Sequence, residues 1–335
     1  MAIAMILAAL ITIVLFGIEK KKIVGQPLEE RQATALRGIC AVEIMIGHIG
    51  LYTGNEILYP NRKAGVLFVG VFLLLSGYGV AYSVEHKKDY LQHFIRKKIL
   101  KLILPAYLVY FLYEVFKVLF IQNVNWDILI NIRNFLTVLN WYVWEQLAFY
   151  IIYYFVYKIM PEKVDLILGG ISFIFICVAF AGKKLDNPWY GSTLCFVLGL
   201  SYYKHKEKIQ KLISRRFWMM VVGFGCLLAA STGAFLLLGN ESIVGNPLAR
   251  NIASLSFCMI VLTALSKVKI GNRISYCLGK CSYEIYLIHS FVLSLLWELG
   301  VESQGLFCWL TVGISVVSAL GIYALETRVS SKLIH

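Results

Sequence analysis

Apolar and polar residues segregate along this chain into long apolar runs separated by short polar clusters. The runs fall at about 2 to 18, 36 to 53, 64 to 84, 99 to 121, 141 to 160, 164 to 182, 189 to 203, 217 to 239, 249 to 266, 274 to 298 and 305 to 325. Most approach the roughly 20 residues that a helix needs to cross about 30 Å of hydrocarbon. The pattern predicts an all-α, polytopic transmembrane helix bundle of about eleven spans. Two connections carry a pattern of their own. Ile128, Leu129, Ile132, Phe135, Leu136 and Leu139 recur at helical spacing, which suits either a helix on the membrane surface or a short packed loop helix. In HKEKIQKLISRR (205–216), Ile209, Leu212 and Ile213 share one side of a cationic stretch, as in an interfacial helix against anionic lipid.

Charge then sets the orientation. Alternating sides from an outside N-terminus gathers most of the 32 basic residues on one side, leaving only Arg62, Lys63, Lys117, Arg133, Lys183, Lys184 and Arg250 for the other. The richer side is read as cytoplasmic, which predicts a multi-pass cell-membrane protein with its N-terminus outside and its C-terminus in the cytoplasm. The net charge of +13 therefore reflects orientation, with membrane lipids rather than nucleic acid as partners. Composition agrees: 59% hydrophobic residues, 15% charged residues and a mean hydropathy of +0.73 exclude an ordinary soluble protein.

The whole chain, 1–335, is read as a single integral-membrane domain, in which 1–30 supply an extra N-terminal span and a cytoplasmic connection and 31–335 the main bundle. The first run is followed, not preceded, by its lysines, so it is expected to be a retained span rather than a cleaved signal peptide. All eight cysteines fall inside apolar runs, with no disulfide framework and no set of metal ligands, so no metal is expected.

Ionisable groups inside a bilayer are costly and draw attention to function. Those read as lying inside the bilayer are Glu43, His48, Glu114, Lys117, Glu145, Glu284 and His289. In LRGICAVEIMIGHIG (36–50), Arg37 and His48 are eleven residues apart, which leaves them about 20° apart around a helix and about 16 Å apart along it. His289, nine residues past Lys280, falls at about the same depth as His48. Two histidines at one depth favour a shared cavity, although each alone also reads as a hydrogen-bonded packing residue. Ser282, Tyr286 and His289 share a helix face. Glu114 and Lys117, one turn apart, form a self-neutralising pair. Arg37 and the cluster Arg96, Lys97, Lys98 and Lys101 have two readings, a topology signal or a basic mouth for the phosphates of an anionic ligand. Trp126, Trp141, Trp144, Trp189, Trp297 and Trp309 lie toward the outer side and only Trp218 toward the inner, which suits either a sugar-binding face or plain anchoring.

These residues resemble a known family. LRG (36–38) with His48 looks like the Arg-x10-His signature of the acyltransferase 3 family of integral-membrane O-acyltransferases. VFLLLSGYGVAYS (71–83), FIRKKILKLILP (94–105), WYVWEQLAFY (141–150), NPWYGSTLCFVLGL (187–200) and CSYEIYLIHS (281–290) agree with that family in order. The resemblance covers residues 36 to about 326 and implies a ten-helix core, here with one extra N-terminal helix. It also implies transfer of an acyl group, often acetyl from cytoplasmic acetyl-CoA, to a hydroxyl of an extracytoplasmic glycan. Carried over by position, Arg37 and His48 would be the functional pair. The chain lacks the paired glutamates that many members carry near 141–150, so Glu145 receives no assigned equivalence.

The expected site follows. His48 would act as general base and Arg37 would hold the donor phosphates, with Arg96, Lys97, Lys98 and Lys101 at the mouth for the donor. Ser76, Tyr78, Tyr286, His289, Trp141 and Glu145 would line the substrate path. The acyl-CoA donor and a glycan acceptor are the expected partners. The competing class is a multi-span transporter or flippase that uses the same mid-membrane groups without acyl chemistry; it predicts internal inverted repeats, and none is visible.

Overall fold

A computed structural model of the chain describes residues 18–20, 28–120, 127, 130–182, 187–239 and 241–334. The elements, in order, are α1 (Glu30–Thr53), α2 (Tyr59–His86), α3 (Phe94–Phe120), α4 (Ile132–Thr137), α5 (Trp141–Ile159), α6 (Val164–Gly182), α7 (Leu194–Lys204), α8 (Lys206–Leu238), α9 (Ala249–Lys267), α10 (Arg273–Lys280), α11 (Ser282–Glu298) and α12 (Gln304–Ile334). Two short strands, β1 (Glu19–Lys20) and β2 (Val268–Lys269), pair antiparallel at one end. Among the described residues the protein is all-α apart from that pair.

Seven helices among the described residues, α1, α2, α3, α6, α8, α9 and α12, are long and apolar enough to cross a membrane. The remaining runs within the described residues also form helices, with differences that have local causes. The run 274–298 is not one helix: it breaks at Cys281 into α10 and the 17-residue α11. The run at 189–203 yields only the 11-residue α7, about 16 Å long and half a bilayer core. The 19-residue α5 carries a polar stripe, Tyr142, Gln146 and Tyr150, at four-residue spacing. Residues 2–17 of the expected N-terminal span at 2–18 lie outside the described residues.

Lipid-facing and buried surfaces divide as a multi-pass membrane protein requires. Leu166, Ile174 and Val178 on α6, Val222 and Leu237 on α8 and Val317 on α12 are exposed, which is tolerable only in hydrocarbon. The core lies among α1, α2, α3, α5, α7, α9 and α11, with Met45, Leu73, Val109, Val143, Phe196, Leu262 and Leu293 fully or nearly buried. Glycines let two helix pairs meet backbone to backbone. A Cβ on Gly77 of α2 would overlap the Phe196 carbonyl of α7, and one on Gly199 would overlap the Leu74 carbonyl in return. Gly38 of α1 and Gly279 of α10 make the same kind of contact with Ser275 and Thr34. Without water to drive association, such close packing is a main source of helix affinity in lipid.

The two patterned connections resolve differently. Among its described residues the 128–139 segment forms the short helix α4, capped by the Asn131 side chain, with Phe135 buried against Tyr107 and Tyr110 and Ile132 exposed. Ile128 and Leu129 lie outside the described residues. The cationic 205–216 stretch is the first part of α8, which kinks at Arg216 before its apolar part begins, with Ile213 buried and Leu212 exposed.

Candidate functional site

Four helices, joined by α3 and α9, bring most of the candidate residues together. α1 and α11 run from the end that carries Arg37 toward the histidines, and α2 and α5 run back. α1 stops at Gly54 in a left-handed conformation, φ 63°, and α5 starts where the Asn140 side chain accepts from the Tyr142 amide at 2.9 Å. The result is two cavities, one above the other.

The first cavity, about 320 Å³, opens at the Arg37 end. Arg37, Ser76, Lys98, Lys101 and Lys280 line it together with Gln146, Tyr150 and two carboxylates, Glu284 and Glu326. Arg37 Nη2 donates to the Leu75 carbonyl at 3.3 Å, which turns the guanidinium across α2 next to Ser76. Lys98 lies 4.3 Å over the Tyr150 ring, so an aromatic face holds its ammonium beside the cavity.

The second cavity, about 190 Å³, contains His48 and His289 with Asn140, Trp141, Ser290, Arg62 and Arg250 on its walls. Tyr286 lines both. Its ring lies tilted against Tyr142 at 4.9 Å and Phe72 at 6.4 Å, and its hydroxyl donates to Asn140 Oδ1 at 3.3 Å. A layer of three rings therefore separates the basic cavity from the histidines.

The histidines touch. His289 Nε2 lies 3.2 Å from His48 Nδ1, and the ring centroids are 4.9 Å apart. Their backbone partners settle the tautomers. His289 Nδ1 is 3.0 Å from the Ile285 carbonyl, an acceptor only, so Nδ1 carries the proton and neutral His289 has a bare Nε2. His48 Nδ1 then faces two acceptors, that Nε2 and the Ile44 carbonyl at 2.9 Å, and must be the protonated nitrogen. The lone pair of neutral His48 is left on Nε2, free to take a proton from a hydroxyl in the cavity. His289 orients the ring from behind, in the way a third group orients the base of a nucleophile–base pair.

Other sequence-selected residues fall elsewhere. Tyr78 turns away from both cavities and packs against Tyr203 and Tyr202 of α7 at 5.3 and 6.1 Å. Glu145 is buried off the path with Thr193 as its polar neighbour. Arg96 and Lys97, on other faces of α3, do not line the basic cavity, whereas Lys98 and Lys101, one turn apart, do. Glu114 and Lys117 pair with each other at 3.1 Å. Among the described tryptophans only Trp141 lines the histidine cavity; Trp189 packs on the Ile176 and Tyr190 cluster, and Trp126 lies outside the described residues.

Several lining residues were not singled out by sequence. Gln146 and Tyr150 had a visible signal in the four-residue stripe on α5, and Arg62 and Arg250 were visible only as charges at span ends. A larger open cavity of about 720 Å³ lies between Glu85, Tyr157, Asp165 and Lys204, but neither histidine nor Arg37 lines it. Groups of three or more His, Cys, Asp or Glu residues able to hold a metal are absent among the described residues.

The arrangement of a basic cavity, a ring layer and an oriented imidazole suits the movement of an acyl group from an anionic carrier to a hydroxyl. Comparison with known families agrees. The acyltransferase domain model of the acyltransferase 3 family matches residues 32–327, nearly all of the described bundle. No curated protein and no solved structure matches the chain. The chain belongs to the acyltransferase 3 family and is a multi-pass membrane enzyme of the O-acyltransferase type.

Proposed function

We propose that the protein transfers an acetyl group from acetyl-CoA in the cytoplasm to a hydroxyl of a glycan of the cell envelope, with the Arg37 end facing the cytoplasm and the histidine cavity open to the acceptor. The observation that carries this reading is the sharing of Tyr286 by the two cavities, because it puts a cationic pocket and an oriented base on either side of one ring layer. Arg37, Lys98 and Lys101 hold the donor phosphates, and Arg37 is suited to bidentate contact. Ser76 and Tyr286 line the route of the acyl end.

In the transfer step the acceptor oxygen attacks the acyl carbon while its proton goes to His48 Nε2. The carbon–sulfur bond breaks and the thiolate leaves, taking that proton back from the imidazolium. The products are an ester and free CoA. His289 keeps the His48 Nε2 lone pair facing the acceptor and accepts no proton itself. A general base of this kind contributes about 10²- to 10⁴-fold.

The test is mass spectrometry of envelope glycans from cells with and without the protein. An acetyl increment of mass that depends on the protein and disappears in His48→Ala at normal protein level supports the reading. An unchanged acyl pattern would assign the polar path to transport instead.

A further inference from the structure

The acceptor side of the histidine cavity is cationic, and nothing in the transfer step above uses that charge. Arg250, from the start of α9, and Arg62, from the start of α2, both line the cavity beside His48, and no acidic side chain lines it. Among the described residues no carboxylate comes within ion-pair distance of either arginine. Arg250 is half-buried with its guanidinium 5.5 Å over the Phe235 ring of α8, and its buried Nε has no hydrogen-bond partner. The ring lies against the guanidinium, a planar fork suited to contact with a carboxylate or phosphate. A partly buried cation without a counter-charge is costly in a protein that meets hydrocarbon, and the cost is relieved when a ligand brings the missing charge. Asn140 and Trp141, at the N-terminal end of α5, complete the same wall and add the positive end of a helix dipole.

We infer that the acceptor is anionic: the hydroxyl that receives the acyl group belongs to a glycan unit whose carboxylate or phosphate is held by Arg250, with Arg62 at the mouth. Arg250 is thus a specificity-determining residue that fixes which hydroxyl meets His48. This rests on the acyl-transfer reading and narrows its acceptor to acidic glycans.

The experiment sorts the glycans of cells with and without the protein by anion exchange and measures ester content in the acidic and neutral fractions. The expected result is a protein-dependent ester in the acidic fraction. Hydrofluoric acid cleavage of phosphodiesters, which moves the ester out of that fraction only if the charge is phosphate, separates the two sources of charge. An ester found only on neutral glycans overturns the inference and leaves acyl transfer standing. No protein-dependent ester in either fraction overturns acyl transfer itself.

A second measurement separates recognition from a structural role. At saturating acetyl-CoA, which fills the Arg37 cavity, and fixed ionic strength, inorganic phosphate should inhibit transfer by the full-length wild-type protein in competition with the glycan acceptor. Its inhibition constant should rise at least about tenfold in Arg250→Gln, the loss expected for one hydrogen bond to a charged group, and less in Arg250→Lys. An inhibition constant unchanged in Arg250→Gln contradicts the assignment. Should that variant not fold, the smaller rise in Arg250→Lys carries the same test, and no rise there is equally adverse.

Discussion

Removing the His289 ring should cost less than removing His48, and removing both should cost no more than removing His48 alone. Loss of His48 takes away the base, about 10²- to 10⁴-fold in rate, or about 2.7 to 5.5 kcal/mol at roughly 1.4 kcal/mol per tenfold. Loss of His289 leaves the tautomer in place, because the Ile44 carbonyl still accepts from His48 Nδ1 at 2.9 Å. What is lost is the second contact, at 3.2 Å, that holds the ring in its plane. Misplacement of a base by about 1 Å costs up to about 10²-fold, so His289→Ala should lose about 10- to 10²-fold. With no imidazole at 48 there is nothing to orient, and the double variant should match His48→Ala within a factor of about two.

The assay is acetyl transfer by each full-length variant in proteoliposomes, with thermal unfolding measured alongside because His289 is buried. His289→Gln, whose amide oxygen can accept the same proton, should recover part of the rate. A double variant at least tenfold slower than His48→Ala would refute the positioning role and give His289 chemistry of its own. A fully active His289→Ala would refute the contact's importance altogether.

Three further outcomes follow from the same geometry. Gly77→Ala should destabilise the protein by about 1 to 3 kcal/mol, because its methyl group overlaps the Phe196 backbone, while Gly79→Ala, whose methyl meets Arg37 Nη2 at 3.8 Å, should unfold near the wild-type temperature. Lys98→Gln and Lys101→Gln should each raise the KM for acetyl-CoA several-fold with kcat little changed, an effect that weakens as salt rises, and Arg96→Gln should do so less. A variant with Cys277 as its only cysteine should resist a membrane-impermeant maleimide in intact cells and react after permeabilisation, since exposed Cys277 lies on α10 at the Arg37 end; labelling of intact cells would reverse the orientation.

What was legible beforehand was mostly one-dimensional. Apolar run length found the helices, and counting residues along α1 and from Lys280 put His48 and His289 at one depth. Rise adds along a helix axis, so the depth of His48 along α1 survives without knowledge of packing, whereas the count from Lys280 runs across the break at Cys281 and holds because His289 meets His48 at 3.2 Å. Rotation and neighbour choice depend on packing. The four residues Arg96, Lys97, Lys98 and Lys101 look equivalent in sequence, yet only two face the cavity, because α3 must turn Phe94 and Leu102 inward. Tyr78 looks like a path residue but is carried around to α7 by the close packing of Gly77. The break at Cys281 is hidden because both sides of it are apolar enough to read as one run. Arg62 and Arg250 were masked by their position, since an arginine at a span end reads first as an orientation signal. Only their convergence on one wall with His48 gives them another meaning.

The proposed axis puts the donor at Arg37 and the acceptor at His48 on opposite sides of one membrane. Vesicles with the protein inserted in one orientation, acetyl-labelled CoA outside at the Arg37 end and envelope glycan trapped inside, test it directly. The account predicts labelled ester on the trapped glycan, dependent on His48. Label appearing only when donor and glycan share the same side would contradict it.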